Sequence, residues 1–218
     1  MLRINDEAPD FEANSTEGII NLHAYLGDCW GILFSHPKDF TPVCTTELGY
    51  MAKIEHEFES RKCKLIGLSV DPVEDHIEWK KDIEETQNVK VKYPLIADSS
   101  LKIAKLYNML PAEESQDEKR TAMTNATVRS VFLIDPNKKI RMMLTYPMTT
   151  GRNFDEIIRV LDSVQLTSKK KVATPAQWNK NDDVIIVPAV SDQEAKELFG
   201  NFKKIKSYLR YTSLKQID

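Results

Sequence analysis

The 218-residue sequence contains no run of 18 apolar residues, so none of it is expected to span a bilayer as a helix. Its opening residues, Met1-Leu2-Arg3-Ile4-Asn5-Asp6-Glu7, lack the apolar stretch of a secretory signal. Asp6 and Glu7 also argue against an organelle transit peptide. Cysteine is scarce: Cys29, Cys44 and Cys63 are the whole set, and nothing follows Cys63. They form no CxxC, no zinc-ligand pattern and no even disulfide set, so no bound metal is expected. Free thiols without an export signal suggest a reducing compartment, with the cytosol as the expected location. A surplus of one charge is missing too. The formal net charge of −3 supplies no electrostatic reason to bind nucleic acid or an anionic membrane. The densest basic run, Lys169-Lys170-Lys171, reads as a solvated linker.

What is present is ample apolar material. At 41% hydrophobic residues, a chain of this length can bury a core without metal or disulfide support. Trp30–Ser35 is short, apolar and ended by Pro37, the pattern of a buried strand. From Pro42 to about Lys62 the pattern is helical, with Leu48, Met51, Ile54 and Phe58 on one stripe. Pro42 suits an early helical position and Thr41 the N-cap. Gly49 inside this helix is a local cost of roughly 1 kcal/mol.

A strand over Lys64–Val70 follows, then a charged helix over Val73–Gln87, a strand over Tyr93–Asp98 and a short helix near Leu101–Tyr107. Pro111–Thr127 reads as a loop. Ser130–Asp135 and Ile140–Tyr146 flank the turn Pro136–Lys139 as a hairpin, and Asn153–Leu166 is a strongly amphipathic helix. Strands alternating with helices and closing on a hairpin predict an α/β fold, a mixed sheet covered on both faces. The character changes near Thr167. Val184–Pro188, Asp192–Phe199 and Tyr208–Tyr211 predict strand, helix and strand in a small α+β domain of about 50 residues, a size of marginal independent stability. The expected division is 1–166 and 167–218.

Cys44 stands three residues after Thr41, in the first turn of the long helix. Unpaired first-turn N–H groups and the positive end of the helix dipole both favour a thiolate over a thiol there. The segment Pro37-Lys38-Asp39-Phe40-Thr41-Pro42-Val43-Cys44 resembles the Pro-x-x-x-Thr-x-x-Cys active-site signature of peroxiredoxins, matching it at each defined position. Arg129, Thr149–Glu156 with Arg152, and the tail Tyr208–Thr212 extend the resemblance to the two-domain, one-cysteine branch over nearly the whole chain. The resemblance implies a thioredoxin-like fold, a homodimer and a thiol peroxidase with no bound cofactor. Cys44 would attack one peroxide oxygen and become a sulfenic acid. Raising the thiolate share alone gains roughly 30-fold. Most of the rate must therefore come from fixed donors aimed at the oxygens. By resemblance these are the Arg129 guanidinium, the Thr41 hydroxyl and the Cys44 N–H. Arg152 would help set the field, Glu47 would hold an arginine in place, and Pro37 would shield the pocket. His36 stands open between a donor to substrate and a structural hydrogen bonder.

With no cysteine after Cys63, an external thiol must reduce the sulfenic acid. The resemblance implies glutathione, delivered by a glutathione transferase, with thioredoxin as the competing reductant. Two other functions compete. Gly27-Asp28-Cys29-Trp30-Gly31 occupies the place of a Gly-x-Ser-x-Gly that related peroxiredoxins carry as phospholipases, with His23 as base. Here cysteine replaces serine, and Asn137 stands where an aspartate is required, two residues from Asp135. The remaining reading is a non-enzymatic binding or holdase module on the same scaffold.

Overall fold

The computed structural model describes residues 1–112 and 126–213. Its elements begin with β1 (Glu12–Ser15), β2 (Gly18–Asn21), α1 (Leu22–Leu26), β3 (Trp30–Ser35), α2 (Pro42–Lys53) and α3 (Glu55–Ser60). They continue with β4 (Cys63–Ser69), α4 (Val73–Gln87), β5 (Leu95–Ala97), α5 (Lys102–Leu106), β6 (Arg129–Ile134) and β7 (Ile140–Tyr146). The remainder is α6 (Phe154–Lys169), β8 (Val172–Ala173), β9 (Val184–Ile186), α7 (Asp192–Phe199), β10 (Lys203–Lys206) and β11 (Leu209–Thr212).

Strands β3 and β6 are buried at every residue. Their continuous apolar runs are those of central strands covered on both faces. They lie in one mixed sheet of order β2-β1-β5-β4-β3-β6-β7. Strand β3 runs parallel to β4, and β4 parallel to β5. The β6–β7 hairpin runs antiparallel alongside β3. This arrangement decides where chemistry can occur. The C-terminal ends of β3 and β4 and the N-terminal end of β6 all meet at one sheet edge. Phe34 pairs with Val131, which brings Arg129 level with the loop that leaves β3.

Several elements differ from the sequence expectation. The helix expected over Pro42–Lys62 is two, broken at Ile54 (φ −101°, ψ 10°). Gly49 has a packing reason: a Cβ there would lie 2.4 Å from Cγ of Gln87 in the last turn of α4. Its propensity cost is thus offset by close helix approach. The β1–β2 hairpin and α1 carry no apolar alternation and are four or five residues each. Periodicity has no purchase on such short pieces. Helix α6 runs to Lys169 rather than Leu166. Strand β10, exposed at every residue, also gave no apolar signal. Most of the expected Pro111–Thr127 loop lies outside the described residues.

By internal contacts the chain divides into Met1–Phe154 and Asp155–Asp218. The second unit has its own four-stranded sheet, β10-β11-β9-β8. Val172, Trp178, Val184, Ile186 and Phe199 form its core.

Candidate active site

Cys44 is fully buried and stands at the third helical position of α2. The first intrahelical bond, from Thr45 N–H to Thr41 C=O at 3.0 Å, leaves the amides of Val43 and Cys44 outside the helix ladder. Pro42 fills the first position without wasting a donor. Thr41 is the N-cap in backbone geometry, but its side chain makes no cap bond. Its hydroxyl donates to the Lys38 carbonyl at 2.8 Å instead. In this arrangement the hydroxyl proton points to Lys38 rather than to the space beside the sulfur. With its one proton committed, the hydroxyl offers acceptor lone pairs. Phe40 beside it has φ 53°, a left-handed conformation uncommon for a residue with a Cβ.

Three charged side chains close around the sulfur. Arg129 Nη1 lies 3.4 Å from Cys44 Sγ and 2.6 Å from Glu47 Oε2. Its Nε donates to the Met148 carbonyl at 2.8 Å, and Nη2 donates to the same oxygen. These contacts use four of the five guanidinium protons and fix its plane. Arg152 does not reach the sulfur. It grips Glu47 with two parallel bonds of 2.9 and 2.8 Å, and its amide donates to Glu47 Oε1 at 2.7 Å. Arg152 Nη1 also donates to the carbonyls of Ser35 and Ser130, joining the end of β3 to the start of β6. Glu47, one turn along α2 from Cys44, therefore holds both arginines, where one was expected. Burial works against its charged form, but Arg152 first and then Arg129 outweigh that, so its carboxyl is held below the ordinary value. Two guanidinium ions and one carboxylate leave this buried cluster with one surplus positive charge.

A second buried network lies under the same loop. His36 Nε2 is 2.6 Å from Asp39 Oδ1, and His76 Nδ1, from α4, is 2.5 Å from Asp39 Oδ2. Burial disfavours the Asp39 carboxylate, yet the two imidazoles outweigh it and hold its pKa low. The Asp39 amide donates to Asp71, itself bonded by Ser69 at the end of β4. Trp79 donates to Thr45 Oγ1 at 3.1 Å. His36 thus spends one nitrogen on Asp39, while its Nδ1 is buried without a partner. Pro37 is buried beside it. Ligand atoms of His36, Asp39 and His76 lie within 4.8 Å of one another, the spacing of a metal cluster. Hydrogen bonds link those atoms pairwise through the carboxylate.

Sequence reasoning overlooked Asp39, Asp71, His76, Trp79 and Met148. One signal was available. His76, Trp79 and Ile83 form the buried stripe of an otherwise charged helix, so His76 occupies a position that favours an apolar residue. Met148 acts through its carbonyl, which no side-chain pattern reports.

The other cysteines stand apart. Cys63 opens β4 and is buried, and burial pushes its thiol far above the ordinary range. Cys29 is partly exposed in the turn before β3. His23 Nε2 contacts the Ala8 carbonyl at 2.7 Å. Asp135 accepts from the Lys139 amide and Arg141, and Asn137 is exposed. Among the described residues no hydrogen bond joins Cys29 to His23, and the carboxylate beside His23 is Asp10, at 4.0 Å. No described helix is long and apolar enough to cross a membrane.

Comparison with known proteins agrees with this geometry. Residues 4–143 match the AhpC/TSA family, and residues 163–201 match the C-terminal domain of 1-Cys peroxiredoxin. The chain is 58% identical over 213 residues to a 1-Cys peroxiredoxin of Dictyostelium discoideum, covering 97% of this chain and 85% of that one. It is 52% identical to human Peroxiredoxin-6, covering 97% of both. A solved yeast mitochondrial 1-Cys peroxiredoxin, described as resolved by glutathione/thioredoxin systems, superposes with a TM-score of 0.90 at 54% identity. That match covers 98% of this chain and 100% of the yeast one.

Proposed function

The chain belongs to the peroxiredoxin family and is a thiol-dependent peroxidase; from that premise we propose that Cys44 is the thiol that meets the hydroperoxide. The observation that carries this reading is the 3.4 Å contact between Arg129 Nη1 and Cys44 Sγ. The surplus positive charge of the arginine–glutamate cluster is the charge a buried thiolate would neutralise.

The thiolate attacks the outer oxygen of the hydroperoxide. An S–O bond forms, the O–O bond breaks, and the other oxygen leaves as hydroxide or alkoxide and takes up a proton. Arg129 follows the charge from sulfur to the departing oxygen, and the Cys44 amide supports it. The Thr41 oxygen accepts the peroxide O–H and so orients the reacting oxygen. Glu47 and Arg152 hold Arg129 in plane, and Pro37 excludes water from the pocket. Regeneration consumes two equivalents of external thiol: one forms a mixed disulfide and releases water, and the second releases Cys44. Glutathione is the proposed reductant, brought by a glutathione transferase, with thioredoxin as its rival. The yeast relative, described with both systems, supports that class of thiol.

We further propose a peroxidase domain over 1–166 with a one-cysteine C-terminal domain over 167–218, and location in the cytosol. The two family matches support the first. Three free thiols, Cys29, Cys44 and Cys63, support a reducing compartment. The yeast relative is itself described as mitochondrial, which makes that organelle the alternative. A homodimer is proposed as well, because among the described residues β7 has a backbone partner on one side only, at the edge of the sheet. Sedimentation at micromolar concentration should give twice the chain mass; monomer alone would refute the pairing. For Cys44, mass spectrometry after one equivalent of peroxide should find a single dimedone adduct on that residue. Preferential labelling of Cys29 or Cys63 would overturn the assignment.

A further inference from the structure

We propose that His76 is a positioning residue of this peroxidase: protonated on both ring nitrogens, it pins Asp39, and with it the Pro37–Cys44 loop, to β5.

The argument is a proton count. His76 Nε2 lies 3.1 Å from the carbonyl oxygen of Ile96, which can only accept, so Nε2 carries a proton. Nδ1 lies 2.5 Å from Asp39 Oδ2. Two bare lone pairs do not approach so closely in a buried site, so a second proton lies between them. His36 supplies the third contact, donating from Nε2 to Asp39 Oδ1. That tautomer leaves His36 Nδ1 as a lone pair, in accord with its lack of a partner. Asp39 is held below the ordinary carboxylate value, so the shared proton belongs to the imidazole, and one carboxylate with one imidazolium leave the network neutral.

Groups from several elements surround His76. Asp39 and His36 come from the loop after β3, and Asp71 holds the Asp39 amide from the end of β4. Strand β5 supplies the Ile96 carbonyl. On α4 itself Trp79 is uncharged, and the neighbouring acids Glu74 and Asp75 are exposed. No second cation among these groups competes for Asp39. The tether therefore rests on the shared proton: without it lone pair would face lone pair and the loop would be released. Phe40 in its left-handed conformation lies between two held residues, Asp39 and Thr41. Such a conformation persists where its surroundings over-determine it.

This inference rests on Cys44 as the reacting thiol, but its first test does not. In wild-type protein with 15N-labelled imidazoles, His76 should show two protonated nitrogens at neutral pH and His36 one. A His76 with a bare Nδ1 would overturn the proposal, whatever the peroxidase assay gives. In the second test, His76→Phe should lower kcat/KM for hydrogen peroxide by about 100-fold, the scale of a misplacement of about 1 Å. Alkylation of Cys44 by a small neutral electrophile should change by less than about threefold, because it requires no oriented donors. His76→Asn keeps a neutral donor toward Asp39. It should recover most of the peroxide rate. An equal loss in both reactions, or no loss in either, would also overturn the proposal. If His76→Phe does not fold, the wild-type spectrum and the His76→Asn rate decide it.

Discussion

Cys44→Ser should abolish thiol-dependent peroxide consumption, leaving only the rate of peroxide with reductant alone. The loss should be on the order of a million-fold, the scale seen when an enzyme loses its nucleophile. A hydroxyl in the same buried site is not ionised near neutral pH, and an alkoxide is not what two arginines and one glutamate would produce. The folded structure should survive, because the change replaces one small buried atom with another near a guanidinium that can donate to it. Thermal unfolding of the variant should therefore stay close to wild type. Peroxide consumption that persists in Cys44→Ser and disappears on loss of Cys29 would move the chemistry to the turn before β3. Neither outcome depends on the physiological reductant, since dithiothreitol can serve in the assay.

Arg129→Gln should lower kcat/KM for hydrogen peroxide by about 100- to 1,000-fold, the usual cost of removing a donor aimed at developing charge. Two effects contribute, and pH separates them. Loss of the positive charge reduces the thiolate share, a penalty that fades in alkaline medium. Loss of the donor to the departing oxygen does not vanish there. Stopped-flow rates at neutral and alkaline pH should therefore converge only in part. Complete recovery at high pH would mean that Arg129 serves only to ionise the sulfur. Arg129→Lys is a sharper control. It keeps the charge but cannot make the bonds to the Met148 carbonyl, Glu47 and Cys44 at once. It should recover the ionisation and little of the remaining rate.

The dependence of Arg129 on Met148, Glu47 and, through Glu47, Arg152 explains why a donor so close to the sulfur stays in place. An isolated arginine would lose side-chain entropy on each turnover. Here its plane is held before peroxide arrives, so little reorganisation remains for the reaction step.

The sequence by itself was sufficient for the parts that depend on local order. Apolar runs marked β3, β4 and the β6–β7 hairpin, because a strand buried on both faces must be apolar throughout. Charged periodicity marked α4 to its terminal residues. Thr41, Pro42 and Cys44 placed the thiol in a helix first turn, since capping chemistry is read within four residues. The reactive motif and Arg129 were legible only through the resemblance to peroxiredoxins, not through local order. Only the tertiary structure decided what those residues meet. That Glu47 binds both arginines, that Met148 holds Arg129 by a carbonyl, and that the Thr41 proton goes to Lys38 are facts of three-dimensional proximity. So is the link of His76 to Asp39 across 37 residues of chain. The physical reason is that hydrogen bonds act over about 3 Å, and side-chain patterns along a chain carry no record of which distant atoms arrive within it.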